Sequence, residues 1–194
     1  MSAGRFIYTP WIFLRYNFAD YKRKLSKAVT PITIIQVNQV RKLVDRIVIE
    51  TPKQAVWDVM ADFGSAAPWA PGMRESSLKG EKKTGVGTQR VLRHVWGFSI
   101  EEIVTEWVDG AGYSFELVKA PFPMRDVCET WILRPDDNHA LLTITVSYGM
   151  RLGLIGDLLD ALLVKFLVAR EIRMGISGLK HHVEQKFANT LSNP

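Results

Sequence analysis

The amino-acid sequence predicts an α+β fold, with a curved antiparallel sheet of about seven strands wrapped around one long C-terminal helix. Two observations support this prediction. Between Val44 and Met150, turn-forming residues divide the chain into short segments rich in β-branched and aromatic side chains, which is typical of an antiparallel meander. From Ile155 to Phe187, apolar residues recur every three or four positions without an intervening proline, which indicates one face of a helix about 50 Å long.

The composition is that of a globular protein whose positive charge is concentrated in an N-terminal extension. Hydrophobic residues make up 47% of the 194 residues and charged residues 23%, so the chain can form a core of ordinary size. Residues 1–43 contain eight basic residues and one acidic residue, whereas the remainder contains 17 basic and 19 acidic residues. Because the body has no excess of positive charge, we expect it not to bind nucleic acid. The single cysteine, Cys128, excludes an internal disulfide bond and is compatible with a cytoplasmic location.

We divide the chain into the extension, residues 1–43, and a folded domain, residues 44–190. The Thr9–Pro10 pair is a typical helix start, and Pro31 ends the apolar repeat that follows it. Residues 9–29 are therefore predicted to form a basic amphipathic helix with an aromatic stripe. The stripe consists of Trp11, Leu14, Phe18, Tyr21, Leu25 and Ala28. Such a helix packs on the folded domain, closes a homodimer or lies peripherally at a membrane surface, and the sequence leaves these alternatives open.

The folded domain is predicted to begin with a strand and two short helices. The segment Val44–Thr51 alternates as a strand does, and Ile32–Val40 before it is a connector or an added strand. Pro52 then opens a short helix over Lys53–Ala61. The segment Phe63–Pro71 is predicted to form a second short helix or helical turn, because it contains Pro68, Trp69 and Pro71.

Six further strands are predicted to follow. They are Met73–Lys79, Gly87–Trp96, Phe98–Val108, Tyr113–Lys119, Met124–Arg134 and His139–Met150. Short turns rich in Gly, Pro, Asp and Asn separate most of them, so consecutive strands should pair antiparallel. In the last strand Leu142, Ile144 and Val146 share one face, which is predicted to be concave and to lie beneath the long helix.

Several passages of this domain resemble the START-like superfamily, whose SRPBCC members have the birch-pollen-allergen or helix-grip fold. The passages are IVIETPKQAVWDVMADFGSAAPWAPG (Ile47–Gly72), GVGTQRV (Gly85–Val91), EEIVTEWVDGAGYSFEL (Glu101–Leu117) and ETWILRPDDNHALLTITVSYGM (Glu129–Met150). Together with the helix after them they resemble the polyketide cyclase/dehydrase and lipid-transport branch. The resemblance implies a cavity between the sheet and the C-terminal helix that holds a hydrophobic small molecule such as a lipid, quinone or polyketide.

Six apolar residues are the candidates for lining such a cavity. They are Trp69, Phe115, Trp131, Tyr148, Leu162 and Phe166. Small-molecule sites usually present a mostly apolar wall with a few placed polar groups. The alternative is that these residues fill a solid core, because aromatic residues at this periodicity belong to cores more often than to ligand sites.

Three polar residues are candidates for acid–base chemistry, and the sequence assigns none of them a catalytic role. Glu129 shares a strand face with Trp131, so burial would raise its pKa or require a partner. Arg93 and His94 are adjacent, so only one of them can point inward. A buried Arg–Glu pair could orient a ligand carbonyl or activate an enol, as a cyclase requires. The alternative for each residue is a solvated sheet face.

No metal site and no cofactor are expected. His181 and His182 are adjacent on the predicted helix, so their side chains diverge by about 100°, and with Glu184 they read as a polar helix end. Some members of the superfamily carry a His/His/Asp iron site, and this sequence has no matching arrangement. It also contains neither a phosphate-binding glycine loop nor a nucleophile elbow.

Three hypotheses of function follow. The first is a non-catalytic module that binds, or transports, a hydrophobic small molecule. The second is a cyclase/aromatase-like enzyme that uses Glu129 with Arg93 or His94, and the third is a partner-binding assembly factor with a filled core. The segment Leu154–Ala169 is apolar on more than one face, which additionally predicts contact with a second element, a subunit or a bilayer.

Overall fold

The structure, a computed structural model, describes residues 40–192. In chain order it contains β1 (Arg41–Ile49), α1 (Lys53–Met60), β2 (Met73–Leu78), β3 (Gln89–His94), β4 (Ser99–Val108), β5 (Gly112–Leu117), β6 (Met124–Asp136) and β7 (His139–Met150). The C-terminal helix follows as α2 (Gly153–Leu159), a π-helical turn (Asp160–Val164) and α3 (Lys165–Ser192). The helix predicted at residues 9–29 and nearly all of the predicted connector lie outside the described residues, so their alternatives stay predictions.

The strands of the described part form one antiparallel sheet in the order β1-β7-β6-β5-β4-β3-β2. Strands β2 to β7 are consecutive neighbours, as the short turns between them predict. The first strand closes the other edge by pairing with the last, from Arg41 opposite Tyr148 to Ile49 opposite Ala140. The predicted α+β fold, a curved antiparallel sheet with a long C-terminal helix, is confirmed.

The segment after α1 forms helical turns in place of a second short helix. The N–H groups of Trp69 and Ala70 both donate to the carbonyl of Ala66, at 3.1 and 2.8 Å. Pro68 and Pro71 have no N–H to donate, so a longer helix cannot form here. The turns nevertheless direct Trp69 inward, where its side chain is buried.

The core lies between the concave face of the sheet and the C-terminal helix. From the sheet, β7 contributes Leu142, Ile144 and Val146, the alternate residues that the sequence pattern places on one face. From the helix, α3 contributes Ile176 and Leu179, which are also buried. Each side chain of this kind stabilises the folded state by about 1.5–3 kcal/mol when it leaves water.

A π-helical turn decides which face of the C-terminal helix is buried in its first third. The N–H of Lys165 donates to the carbonyl of Asp160, five residues earlier, so this turn contains more residues than an α-helical turn. The buried positions here are therefore Gly156, Asp160 and Val164, at steps of four.

Asp160 fastens this turn to the sheet. Its Oδ1 accepts a hydrogen bond from the Tyr148 hydroxyl at 2.6 Å, and its Oδ2 accepts one from Arg41 Nε at 2.7 Å. Asp157, one turn earlier on the helix, is also paired with Arg41. The Asp160 carboxylate is buried, and a buried charge is tolerated when it has such partners. The helix is thus joined here to both β1 and β7.

The same helix approaches the turns after α1 most closely at Gly178. A Cβ atom at this position would lie 2.1 Å from the backbone oxygen of Trp69 and 3.0 Å from Cδ of Pro71. Backbone atoms cannot move aside as a flexible side-chain end can, so the approach requires glycine. The next residue, Leu179, is fully buried, and the helix is therefore held tightly at this level.

We predict that Gly178→Ala lowers the free energy of unfolding by roughly 1–3 kcal/mol, because the added methyl group has no space. The matched control is Gly175→Ala, one turn earlier, where a Cβ meets no atom within 4 Å. The control should raise stability by up to about 1 kcal/mol, because alanine favours the helix. Urea unfolding of both variants measures the difference, and equal effects would contradict the close contact at Gly178.

Candidate functional site

A cavity of about 280 Å³ lies between the concave face of the sheet and α3. Its volume is near the lower limit of the range of ~300–1,000 Å³ that is usual for small-molecule sites. The wall is mostly apolar and includes Trp69, Leu92, Phe115, Trp131, Ile144, Val146, Val168 and Ile172. Four ionisable side chains also line it, of which Glu171 is exposed and Arg90, Glu102 and Glu129 are buried or half-buried.

Arg90 and Glu102 form a buried ion pair in this wall. They lie directly opposite each other on β3 and β4, and Arg90 Nε donates to Glu102 Oε2 at 2.5 Å. The Arg90 guanidinium also donates to the carbonyl of Phe63 at 3.1 Å and lies 4.0 Å from the centre of the Phe63 ring. Removal of either charge would leave the other buried without its partner, which is strongly destabilising.

Glu129 is the third ionisable group and lies on β6, opposite Phe115 of β5. Its Oε2 accepts a hydrogen bond from the indole N–H of Trp131 at 3.1 Å. The two residues are separated by one position, so strand alternation places both on the concave face. The Glu129 side chain is half-buried, as expected for a side chain that lines a cavity.

The protein around Glu129 raises the pKa of its carboxyl group to about 7. Removal from bulk water is the main cause, because it disfavours the ionised form, and the negative charge of Glu102 acts in the same direction. The hydrogen bond from Trp131 and the positive charge of Arg90 oppose the shift. A carboxyl group in this range exchanges protons near neutral pH, which suits either acid–base chemistry or hydrogen bonding to a neutral ligand.

Three of the six residues predicted to line the cavity do lie in its wall. They are Trp69, Phe115 and Trp131. The rings of Trp69 and Trp131 are in contact, with centroids 5.8 Å apart. Their contact with a ligand stays a prediction.

The structure places the other three predicted residues outside the cavity wall. Tyr148 is fully buried, and its hydroxyl points to Asp160. Leu162 and Phe166 are 69% and 60% exposed. The predicted inward face of the helix is wrong at these two positions. Phe166 lies six residues before the buried Ile172 in α3 and so about 120° around the helix from it. Leu162 lies within the π-helical turn, where the buried residues are Asp160 and Val164.

Arg93 and His94 also lie away from the cavity wall. The Arg93 side chain is more than half exposed and lies 3.5 Å from a Glu75 oxygen. The His94 side chain points inward, as only one of the two can, and its ring stacks on Phe98 with centroids 4.5 Å apart. Its Nδ1 accepts a hydrogen bond from the N–H of Trp96. His94 therefore stabilises the β3–β4 turn, and the arginine that lines the cavity together with Glu129 is Arg90.

Arg90 and Glu102 are not among the residues that the sequence predicts for the site. A usable signal was present in β3, since Arg90 lies two residues before Leu92 and so shares its inward face. In β4, apolar and acidic residues occur on both faces, so Glu102 could not be oriented. The pairing register of the two strands, which brings the charges together, is a non-local property.

Neither a metal site nor a membrane-spanning helix is found within residues 40–192. Within this range, no group of His, Cys, Asp and Glu side chains is arranged so that it could hold a metal ion. No helix in the same range is both long enough and apolar enough to cross a bilayer.

The sequence model of the polyketide cyclase / dehydrase and lipid transport family matches residues 40–184 of this chain. A search of the curated proteins found no significant match. This family match covers most of the chain and includes every strand and the cavity wall.

Solved structures with low sequence identity have a similar fold. Zhui aromatase/cyclase from Streptomyces sp. R1128 has a TM-score of 0.65 and 15% identity, covering 77% of this chain and 96% of that chain. Ara h 8.0201 has a TM-score of 0.61 and 12% identity, covering 76% and 99%. Truncated norcoclaurine synthase from Thalictrum flavum has a TM-score of 0.58 and 13% identity, covering 75% and 94%. These similarities concern the fold.

We predict that the stability of the protein declines as the pH rises from about 5 to about 7 and that Glu129 contributes to this decline. The carboxyl group holds its proton in the folded state up to a pKa of about 7, whereas the unfolded chain releases it near 4.3. The folded state therefore binds more protons in this window, and stability falls with pH by up to about 1.4 kcal/mol per unit.

Glu129→Gln should remove the part of the slope that is due to this carboxyl group. Glu116→Gln, an exposed position on the neighbouring strand, is the matched control and should keep the slope. Chemical unfolding at a series of pH values measures both. An unchanged slope in Glu129→Gln would contradict the raised pKa.

Proposed function

Because this chain belongs to the polyketide cyclase / dehydrase and lipid transport family, we propose that its cavity binds a hydrophobic small molecule such as a lipid, quinone or polyketide. The observation that carries the proposal is the apolar space of about 280 Å³ between sheet and helix. A filled core would have no such space, so the cavity favours ligand binding over a purely structural scaffold. Transport is the simplest use of a binding module that releases its ligand unchanged.

The size of the cavity narrows the class of ligand. A space of about 280 Å³ accommodates a small fused aromatic ring system or part of a single acyl chain, because sites for larger drug-sized ligands extend to ~1,000 Å³. A two-tailed phospholipid would not fit inside. We therefore favour a ligand with one or a few rings, or a single chain whose remainder extends beyond the cavity.

The polar groups of the wall favour a ligand that carries an oxygen atom. The indole N–H of Trp69 is buried and has no hydrogen-bond partner among the residues that the structure describes. A ligand carbonyl or hydroxyl oxygen could accept from it, which would recover the free energy of an unmade hydrogen bond. The Glu129 carboxyl group, when protonated, can donate to the same kind of atom. Ketones, quinones and phenols meet these conditions, whereas pure hydrocarbons do not.

A cyclase/aromatase-like enzyme is the second candidate function. The pKa of about 7 at Glu129 favours it, because a general acid or base works best when its pKa is close to the working pH. In this alternative Glu129 would transfer the proton at an enolisable carbon or ketone oxygen. The Arg90–Glu102 pair would provide fixed charges in the cavity wall that need not rearrange as the proton is transferred.

A cytoplasmic location is part of the proposal, with residues 9–29 making either peripheral membrane contact or a homodimer. Their basic amphipathic sequence with its aromatic stripe supports both. Native mass spectrometry of the full chain distinguishes a dimer from a monomer.

We predict that the protein retains a discrete small molecule through purification. Native mass spectrometry, followed by organic extraction, should show an added mass that becomes a lipid, quinone or polyketide in the extract. A clean protein mass, with no uptake from a mixed pool of these compounds, would contradict the binding proposal.

We also predict that a larger side chain at position 175 blocks the cavity. Gly175 lines the cavity, and a Cβ there meets no atom within 4 Å, so Gly175→Leu should fold and occupy ligand space. Uptake of 2-naphthol, a fluorescent bicyclic phenol, should fall at least about tenfold in Gly175→Leu. Gly175→Ala, the matched control, should bind the probe as the natural chain does. Equal binding by both variants would place the probe outside this cavity.

Glu129→Gln separates binding from catalysis. If the chain is an enzyme, this variant should lose roughly 10²–10⁴-fold in turnover of an aromatic β-polyketone while it still binds the compound, because glutamine cannot transfer the proton. Glu116→Gln is again the control. Unchanged turnover in Glu129→Gln would exclude this carboxyl group as the catalytic acid or base.

A further inference from the structure

One end of the sheet presents exposed apolar side chains from three separate parts of the chain. Antiparallel pairing brings the β3–β4 turn, the β5–β6 loop and the β7–α2 junction to the same end of the sheet, where these strands start or stop. Met124, which follows the loop, lies opposite Met150, which precedes the junction. The N–H of Arg151 also donates to the carbonyl of Pro123 at 2.9 Å, so the loop and the junction are in contact.

The exposed side chains at this edge are large. Trp96 at the turn is 81% exposed, Phe122 in the loop is 69% exposed and Leu154 at the junction is 86% exposed. We define the apolar end as Trp96, Phe122, Leu152, Leu154, Ile155 and Leu158, each of which is more than half exposed. A protein that remains alone in water rarely presents such a set together.

The aromatic tip of the apolar end is held in place by hydrogen bonds and ring contacts. The N–H of Val95 donates to the carbonyl of Gly72 at 2.9 Å. The His94 ring stacks on Phe98 and lies 4.7 Å from the Trp96 ring, centre to centre. Trp96 therefore projects from an ordered turn, and its large apolar surface is presented without a cost of ordering the backbone on binding.

Positive charge accompanies the apolar end. Lys119 and Arg151 are exposed at this edge and make no ion pair with any residue in the 40–192 range. Arg41 at the start of β1 lies opposite Tyr148 near the end of β7, so β1 begins at the same end of the sheet. Two of the eight basic residues among residues 1–43, Arg41 and Lys42, therefore lie near this end.

We propose that the apolar end docks on the surface of an anionic lipid bilayer. Tryptophan and leucine side chains would enter the interface, where amphipathic rings are favoured. Lys119 and Arg151 would lie at the level of the acidic headgroups, to which cations are attracted. A second copy of the chain fits less well, because a symmetric contact would bring the same positive charges face to face. This inference does not depend on what the cavity binds.

Flotation of the full chain with phosphatidylcholine vesicles containing about one third phosphatidylserine tests the proposal. The natural chain should float with the vesicles and should be released by high salt. Trp96→Asp, Phe122→Asp and Leu154→Asp should each weaken partitioning by about tenfold or more. All three positions are exposed, so these variants should fold.

Val108→Asp is the matched control. Val108 is 61% exposed, but it is the last residue of β4, next to the β4–β5 turn, and so lies at the opposite end of the sheet. It should partition as the natural chain does. Absence of flotation by the natural chain, or equal losses in Val108→Asp and Trp96→Asp, would overturn the proposal. The proposal would also be overturned if the three variants floated as the natural chain does but no longer formed a dimer in native mass spectrometry. The apolar end would then be a contact between copies of the chain.

Discussion

The cavity depends on the way in which the C-terminal helix is fastened to the sheet. Asp160 holds the helix near its start through Tyr148 and Arg41. Gly178 allows it to rest against the turns after α1 near its middle. Between these two points Val168, Ile172 and Gly175 form one wall of the cavity without closing it. The helix is held at two separated points and bridges the concave sheet, which leaves the space beneath it.

The electrostatics of the cavity follow from its burial. The ionisable residues of the cavity wall that are not exposed, Arg90, Glu102 and Glu129, carry one positive and two negative charges when all are ionised. The ion pair compensates one carboxylate, but Glu129 has only the neutral indole of Trp131 as a hydrogen-bond donor. Protonation of Glu129 is therefore the least costly way to keep the wall neutral. The same condition makes this carboxyl group a donor for an uncharged ligand.

The sequence was a good guide to features with a local cause and a poor one to features with a non-local cause. Strand limits agree with prediction to within about three residues, because glycine and proline turns are local signals. Trp69, Phe115 and Trp131 lie in the cavity wall as the pattern suggested. Leu162 does not, because it lies in a π-helical turn that changes the phase of the helix, and Phe166 does not, because it points away from the buried face of α3. The Arg90–Glu102 pair was missed because it requires the register between β3 and β4.

The cavity and the apolar end are close to each other, and this proximity has a physical consequence. Leu117 and Met124, which flank the β5–β6 loop, belong to the cavity wall, and Phe122 of the same loop belongs to the apolar end. A hydrophobic ligand that leaves the cavity into water loses the free energy of its buried apolar surface. A ligand that leaves into a bilayer keeps most of that free energy. Docking of the apolar end on a membrane would therefore lower the barrier to exchange without any weakening of the binding site itself.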